Sequence, residues 1–97
     1  MIPFNRPATF GKELEYVKQS IENGQLSGNG PFTNKCQFFF ESKYGFRKCL
    51  LTTSCTDALE MAAILLDIGI GDEVIVPSYT FVSTANAFAL RGATVKF

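Results

Sequence analysis

Residues 52–56 read Thr52-Thr53-Ser54-Cys55-Thr56, a dense set of hydroxyls with one thiol just ahead of a long apolar run. The chemistry such a set offers is anion binding. Amide N–H groups at a helix start, reinforced by Ser and Thr hydroxyls, make a cradle for a phosphate at the carboxyl end of a parallel strand. The same residues also read as an ordinary cap, in which Ser54 or Thr56 accepts one amide proton of the helix. Further on, Pro77-Ser78-Tyr79-Thr80-Phe81 sets an aromatic ring at a second helix start, on the same strand-end side. Phe81 could stack on a flat ring or lie in the core. Ser83, Thr84 and Asn86 follow on that helix, where polar side chains take partners from a ligand or from carbonyls of the preceding turn. Gly28-Asn29-Gly30 has no strand before it and no third glycine after it, which argues against a dinucleotide fingerprint. Cys55 reads as a small buried residue rather than a reactive thiol.

Positioning those groups takes strands that run directly into helices, and the chain supplies them in its second half. Before that, Pro3 and Pro7 make residues 1–7 an extended arm. A helix is predicted from about residue 11, with Leu14, Val17 and Ile21 on one face and Glu13 and Glu15 in the first turn, where the dipole favours acid. Asn23-Gly24 ends it, and residues 25–30 form a polar loop. Pro31 and Thr33 open a second helix that runs to Tyr44-Gly45. Its Phe38-Phe39-Phe40 run covers more than one face and calls for neighbours on two sides. The rhythm then changes. Residues 49–52 read as a short apolar strand, and 56–68 as a helix apolar nearly all round, as in a buried helix. Residues 73–77 form a second buried strand, 80–91 a third helix closed by Gly92, and 94–97 the start of a third strand. That alternation is the α/β pattern of parallel sheets. A chain that stops four residues into a strand is expected to be the front part of something larger.

Composition narrows the function classes. Nine basic and nine acidic side chains cancel, which removes the electrostatic footprint of a nucleic-acid binder. Hydrophobic residues make up 46% of the chain and aromatics 13%, too apolar for a disordered segment. The chain has no His, so neither a Ser-His nor a Cys-His nucleophile can be built from it alone. Cys36, Cys49 and Cys55 are odd in number and contain no CxxC pair, which fits neither a disulfide framework nor a zinc site. No apolar run reaches the roughly 20 residues that cross a bilayer, and residues 1–4 lack the form of a signal peptide. The expected compartment is the cytoplasm, with no membrane partner.

Four stretches, in order and spacing, carry a family likeness: Met1-Ile2-Pro3-Phe4-Asn5-Arg6-Pro7, Gly24-Gln25-Leu26-Ser27-Gly28, Leu51-Thr52-Thr53-Ser54-Cys55-Thr56, and Gly71-Asp72-Glu73-Val74-Ile75-Val76-Pro77-Ser78-Tyr79-Thr80-Phe81. Together they resemble the amino-terminal quarter of the DegT/StrS-type nucleotide-sugar aminotransferases. The resemblance implies an α/β fold, the first part of the large domain of a fold-type-I transferase (aspartate-aminotransferase-like), three-layered with a mostly parallel sheet. Residues 1–30 would be arm, helix and loop, and 31–97 the first part of that domain. It further implies pyridoxal 5′-phosphate (PLP) as cofactor, glutamate and a dTDP-linked 4-keto-6-deoxyhexose as substrates, and a homodimer for the full-length form. Carried over by position, Ser54, Cys55 and Thr56 would hold the cofactor phosphate and Phe81 would lie against the pyridine ring. Phe4, Gln25, Leu26 and Ser27 would approach the nucleotide sugar.

The family's Schiff-base lysine, the acid that pairs with the pyridine nitrogen and a phosphate-side Ser belong to motifs downstream of this segment. None of Lys12, Lys18, Lys35, Lys43, Lys48 or Lys96 stands in the lysine's motif, so no catalytic residue is assigned. Two rival readings remain. One is a non-catalytic chain that associates through its Phe-rich helix; the other is a different fold-type-I enzyme, such as a threonine aldolase or desulfurase. The 49–52 strand is expected to lack its neighbours, leaving at most a two-stranded remnant from 73–77 and 94–97, and an isolated chain that aggregates or folds only in part.

Overall fold

A computed structural model describes residues 2–97; Met1, the first residue of the arm, lies outside the described residues. The chain forms two compact units, residues 1–49 and residues 50–97. Within the first unit, Tyr16 and Phe32 meet edge to face with ring centroids 5.3 Å apart.

The first unit holds α1 (Glu13–Glu22) and α2 (Pro31–Tyr44). Helix α1 has no side-chain cap on Lys12; instead the Glu13 carboxylate accepts the N–H groups of Phe10 and Gly11. Those backbone bonds, that of Phe10 first, hold the Glu13 carboxyl below its ordinary pKa. Helix α2 has the bounds its sequence dictates. Pro31 sits at the first helical position, where its missing N–H costs nothing, and Gly45 closes the helix with a left-handed φ of 70°. Past that glycine the chain folds back: the Glu41 carboxylate accepts the Cys49 N–H at 2.9 Å and pairs with Lys48 at 3.2 Å. Leu14, Val17 and Ile21 do share a face, but all three are exposed. Phe38, Phe39 and Phe40 are exposed too, so the neighbours expected on two sides of α2 are not found among the described residues.

The second unit holds α3 (Cys55–Leu65), β1 (Glu73–Ile75), α4 (Ser83–Ala89) and β2 (Thr94–Lys96). Strands β1 and β2 pair in parallel with Val74 opposite Val95, and α4 is the crossover between them. Helices α3 and α4 pack together, and the buried apolar side chains are small: Ala63, Val76, Ala87 and Ala93. Helix α3 ends in a Schellman turn, with the Ile68 N–H on the Ala63 carbonyl and the Asp67 N–H on the Ile64 carbonyl. Asp67 takes the left-handed position at φ 53°, and Arg91 donates through Nε to the Ile68 carbonyl at 2.7 Å.

Four sequence expectations need correction. Residues 49–52 are not a strand, since a strand needs a ladder partner and none lies beside them among the described residues. The apolar helix α3 is not buried: Ile64, Leu65 and Leu66 are exposed and only Ala63 is covered. Strand β1 likewise leaves Ile75 exposed, Val76 just beyond it being the covered residue. Helix α4 is shorter than 80–91 because its ends tighten into i to i+3 bonds, Thr84 N–H to Phe81 and Arg91 N–H to Phe88.

Candidate functional site

The chain leaves its extended segment at Ser54, whose backbone is β-like (φ −149°), and enters α3 at Cys55. Each hydroxyl ahead of the helix has a distinct task. Thr52 Oγ1 donates to the Ser54 carbonyl at 2.7 Å, and Thr53 Oγ1 donates to the Asp57 carboxylate. Ser54 Oγ accepts the Asp57 N–H at 3.0 Å, which makes it the cap. Two of the hydroxyls counted toward a cradle, Thr52 and Thr53, are therefore spent on the loop itself.

What remains free is a compact donor set. Among the described residues, the N–H groups of Cys55 and Thr56 have no protein acceptor, and neither has the Thr56 hydroxyl. Successive N–H groups at the positive end of a helix, with a hydroxyl beside them, suit a phosphate monoester. Capping and cradling are compatible here, because Ser54 satisfies only one of the four orphan N–H groups at the helix start. Cys55 is exposed rather than buried. Asp57 is the acid of the first turn, and the Thr53 hydroxyl, followed by bonds from Ser54, holds its carboxyl below the ordinary carboxylate range.

Phe81 stands just before Val82, the N-cap of α4, its carbonyl accepting the Thr84 N–H while its ring is exposed and makes no aromatic pair among the described residues. It is not core. Thr84 finds its partner locally, Oγ1 lying 2.9 Å from that of Thr80, and Asn86 is exposed; neither calls for a ligand.

In the first unit, Gln25, Leu26 and Ser27 line a pocket of about 170 Å³ together with Ser20 and the start of α2, Gly30 to Thr33. Gly30 is the N-cap of α2 and brings no side-chain cap. Phe4 is exposed in the arm and does not line this pocket. The share of the α2 start in lining this pocket and the Thr53–Asp57 bond were missed at the sequence level. Ser54-x-x-Asp57 is a legible capping pattern that names Asp57, whereas the loop-to-helix pocket is a property of space alone. Among the described residues no group of three His, Cys, Asp or Glu is placed to hold a metal, and no helix is long and apolar enough to cross a membrane.

Comparison with known proteins places this geometry. The DegT/DnrJ/EryC1/StrS aminotransferase family model matches residues 8–97. Among solved structures, the aminotransferase TlmJ of Streptoalloteichus hindustanus is 35% identical, with a TM-score of 0.80 over 100% of this chain and 27% of its own. A Streptococcus pneumoniae protein assigned as a sugar aminotransferase, solved in its PLP form, is 31% identical at a TM-score of 0.77, over 98% of this chain and 24% of its own. An aminotransferase of Psychrobacter cryohalolentis is 28% identical at a TM-score of 0.80, over 96% of this chain and 24% of its own. The chain thus spans about a quarter of the length of these relatives, and over that span its fold is that of the fold-type-I aminotransferases. By the family match over nearly all of its length, this chain belongs to the DegT/DnrJ/EryC1/StrS aminotransferase family.

Proposed function

We propose that these residues serve a PLP-dependent sugar aminotransferase, as the segment that grips the cofactor phosphate and begins the nucleotide-sugar site. The observation that carries the reading is the open donor set at the start of α3, in a chain whose family is that of aminotransferases. The donor chemistry fits the cofactor. The N–H groups of Cys55 and Thr56 and the Thr56 hydroxyl would hold the phosphate dianion, and Phe81 would cover a face of the ring and exclude water from it. When bound, the cofactor supplies an electron sink for moving an amino group. Gln25 and Ser27 would hydrogen-bond the nucleotide sugar, while Leu26 and Phe4 would shield it.

The most specific form of the reading is a dTDP-4-amino-4,6-dideoxygalactose transaminase of enterobacterial common antigen synthesis. It takes glutamate as donor and a dTDP-4-keto-6-deoxyhexose as acceptor, in a cytoplasmic homodimer. The arm Ile2-Pro3-Phe4-Asn5-Arg6-Pro7 supports the sugar branch over other fold-type-I enzymes. The 97 residues alone carry no lysine in the family's motif, and taken alone they are expected not to transaminate.

The test is to supply the whole protein with glutamate and a dTDP-4-keto-6-deoxyhexose and look for the 4-amino sugar. Absence of product with every keto sugar tried would remove the reading. In the same protein, Thr56→Ala should cost about 1.5–3 kcal/mol of PLP affinity, one hydrogen bond to a charged group. Phe81→Ala should loosen the ring without touching the phosphate contacts. If both variants held PLP like the parent, Ser54 would be a cap and nothing more.

A further inference from the structure

Gly30 and Gln37 are the only buried residues among those described in the first unit. A buried glycine usually answers a demand of the backbone or of packing, and Gly30 answers neither. Its φ of −77° and ψ of −178° are extended geometry open to any residue. A Cβ built on it would lie 3.7 Å from the Gln25 carbonyl oxygen and 3.8 Å from both Gln25 Cγ and the Ser27 carbonyl oxygen, which is ordinary van der Waals contact. Nor is glycine the best N-cap for α2, since Ser, Asp or Asn would accept an amide proton there that glycine cannot.

What a side chain at position 30 would enter is the pocket of about 170 Å³, which Gly30 lines together with the Gln25 and Ser27 that its Cβ would meet. The chemistry of that pocket is mixed. Gln25, Ser27 and Thr33 bring an amide and two hydroxyls, and among the described residues their side chains make no hydrogen bond. Phe32 adds an apolar wall, its ring fixed by the edge-to-face contact with Tyr16 and by the Lys35 ammonium 5.1 Å from its centroid. No charged side chain lines the pocket, and Pro31 at the first helical position has no N–H to give, so a phosphate would be poorly served. The volume is well below the roughly 300–1,000 Å³ that encloses a whole drug-sized ligand, which leaves room for one ring.

We propose that Gly30 is a specificity-determining residue: by carrying no side chain it keeps this pocket wide enough for one uncharged six-membered ring with polar edges, the hexose or the base of a nucleotide sugar. The proposal rests on the reading of Gln25 to Ser27 as the beginning of the nucleotide-sugar site. It gives folding and binding opposite signs at one position. A capping side chain there favours the helix and takes space from the ligand.

The test titrates the whole protein with dTDP-glucose and with dTDP, which lacks the hexose. Gly30→Ser should melt no lower than the parent, because it caps α2, yet it should weaken dTDP-glucose binding by about tenfold, the scale of one hydrogen bond displaced. Gly30→Val, which fills the pocket without capping, should weaken it at least as much, and Gly30→Ala less than either. A loss with dTDP-glucose alone assigns the pocket to the hexose; an equal loss with dTDP assigns it to the base. The PLP affinity of each variant should match the parent's, and a loss of PLP alongside both nucleotides would overturn the proposal by showing a general structural role. Binding of both probes at parental strength by Gly30→Ser and Gly30→Val would overturn it too, while leaving the nucleotide-sugar reading in place. A parent that binds neither probe would remove that reading, and this proposal with it.

Discussion

In residues 50–97 the buried apolar side chains are Ala63, Val76, Ala87 and Ala93, and backbone bonds tie β1 to β2 and close the end of α3. In residues 1–49 none of the described apolar side chains is buried. Order there comes instead from aromatic stacking on an open surface: Phe40 on Tyr44 and Tyr44 on Phe46, each at 5.8 Å, with Lys43 over the Phe39 ring at 5.1 Å. One region is held by close approach of small residues, the other by large residues that cover one another without being covered. The difference teaches that the two regions respond to different insults. The first kind of order fails when volume or backbone geometry is wrong, the second when charge or solvent is changed.

The largest expected effect is association. Purified as these 97 residues, the chain should sediment as oligomers or aggregates, because its uncovered apolar faces and open strand edges find each other. A monodisperse monomer with a sharp unfolding transition would break the comparison at its root. Next comes Ala63→Leu at the contact of α3 and α4. Overpacking there should destabilise residues 50–97 by about 1–3 kcal/mol, read as faster hydrogen exchange at the Val76 and Thr94 N–H groups, both in the β1–β2 ladder.

Acid should act on the other region. The carboxyls of Glu13 and Glu41 both sit below their ordinary pKa, Glu13 through the Phe10 amide and Glu41 through the Cys49 amide first and Lys48 second. A carboxyl lowered by folding contributes stability above its unfolded pKa and loses it as pH falls through the folded value. Acidification below the usual carboxylate range should therefore speed exchange at the Phe10, Gly11 and Cys49 N–H groups before it touches the ladder. Simultaneous loss at all of these would mean that the two regions unfold as one. The smallest effect on folding belongs to Phe38→Ser. Its ring is 69% exposed, so the change should stay within about 0.5 kcal/mol while reducing association. A large loss of stability would show that the aromatic surface is covered in solution.

What could be read from sequence follows the range of the forces involved. The bounds of α2 were legible because Pro31 and Gly45 act within one turn, and the start of α3 because Ser54 caps it. The parallel α/β alternation was legible from the spacing of strands and helices, whereas the pairing of 73–77 with 94–97 came from the family resemblance. The failure at 49–52 has the opposite cause: a strand exists only with a neighbour, and Leu50 and Leu51 carry no record of whether one is there. Periodicity likewise named the apolar faces of α1 and α3 but not what covers them. At the candidate site, the hydroxyl-rich run 52–56 leading into α3 could be read as a local motif. The bond from Thr53 to Asp57 could not, because residue types alone do not say which donor a carboxylate will take.

The extended segment ahead of α3 has a consequence for how the chain is cut. A protease must draw a stretch of substrate into its cleft as a strand, with amides unpaired and side chains in reach. Leu50 and Leu51 are outside any helix or ladder and are 63% and 44% exposed. An enzyme that prefers large apolar side chains has its substrate conformation ready-made there, at the boundary between the two compact units. Brief digestion should nick the chain at Leu50–Leu51 before it attacks the helices on either side, and the two pieces released would be the units themselves.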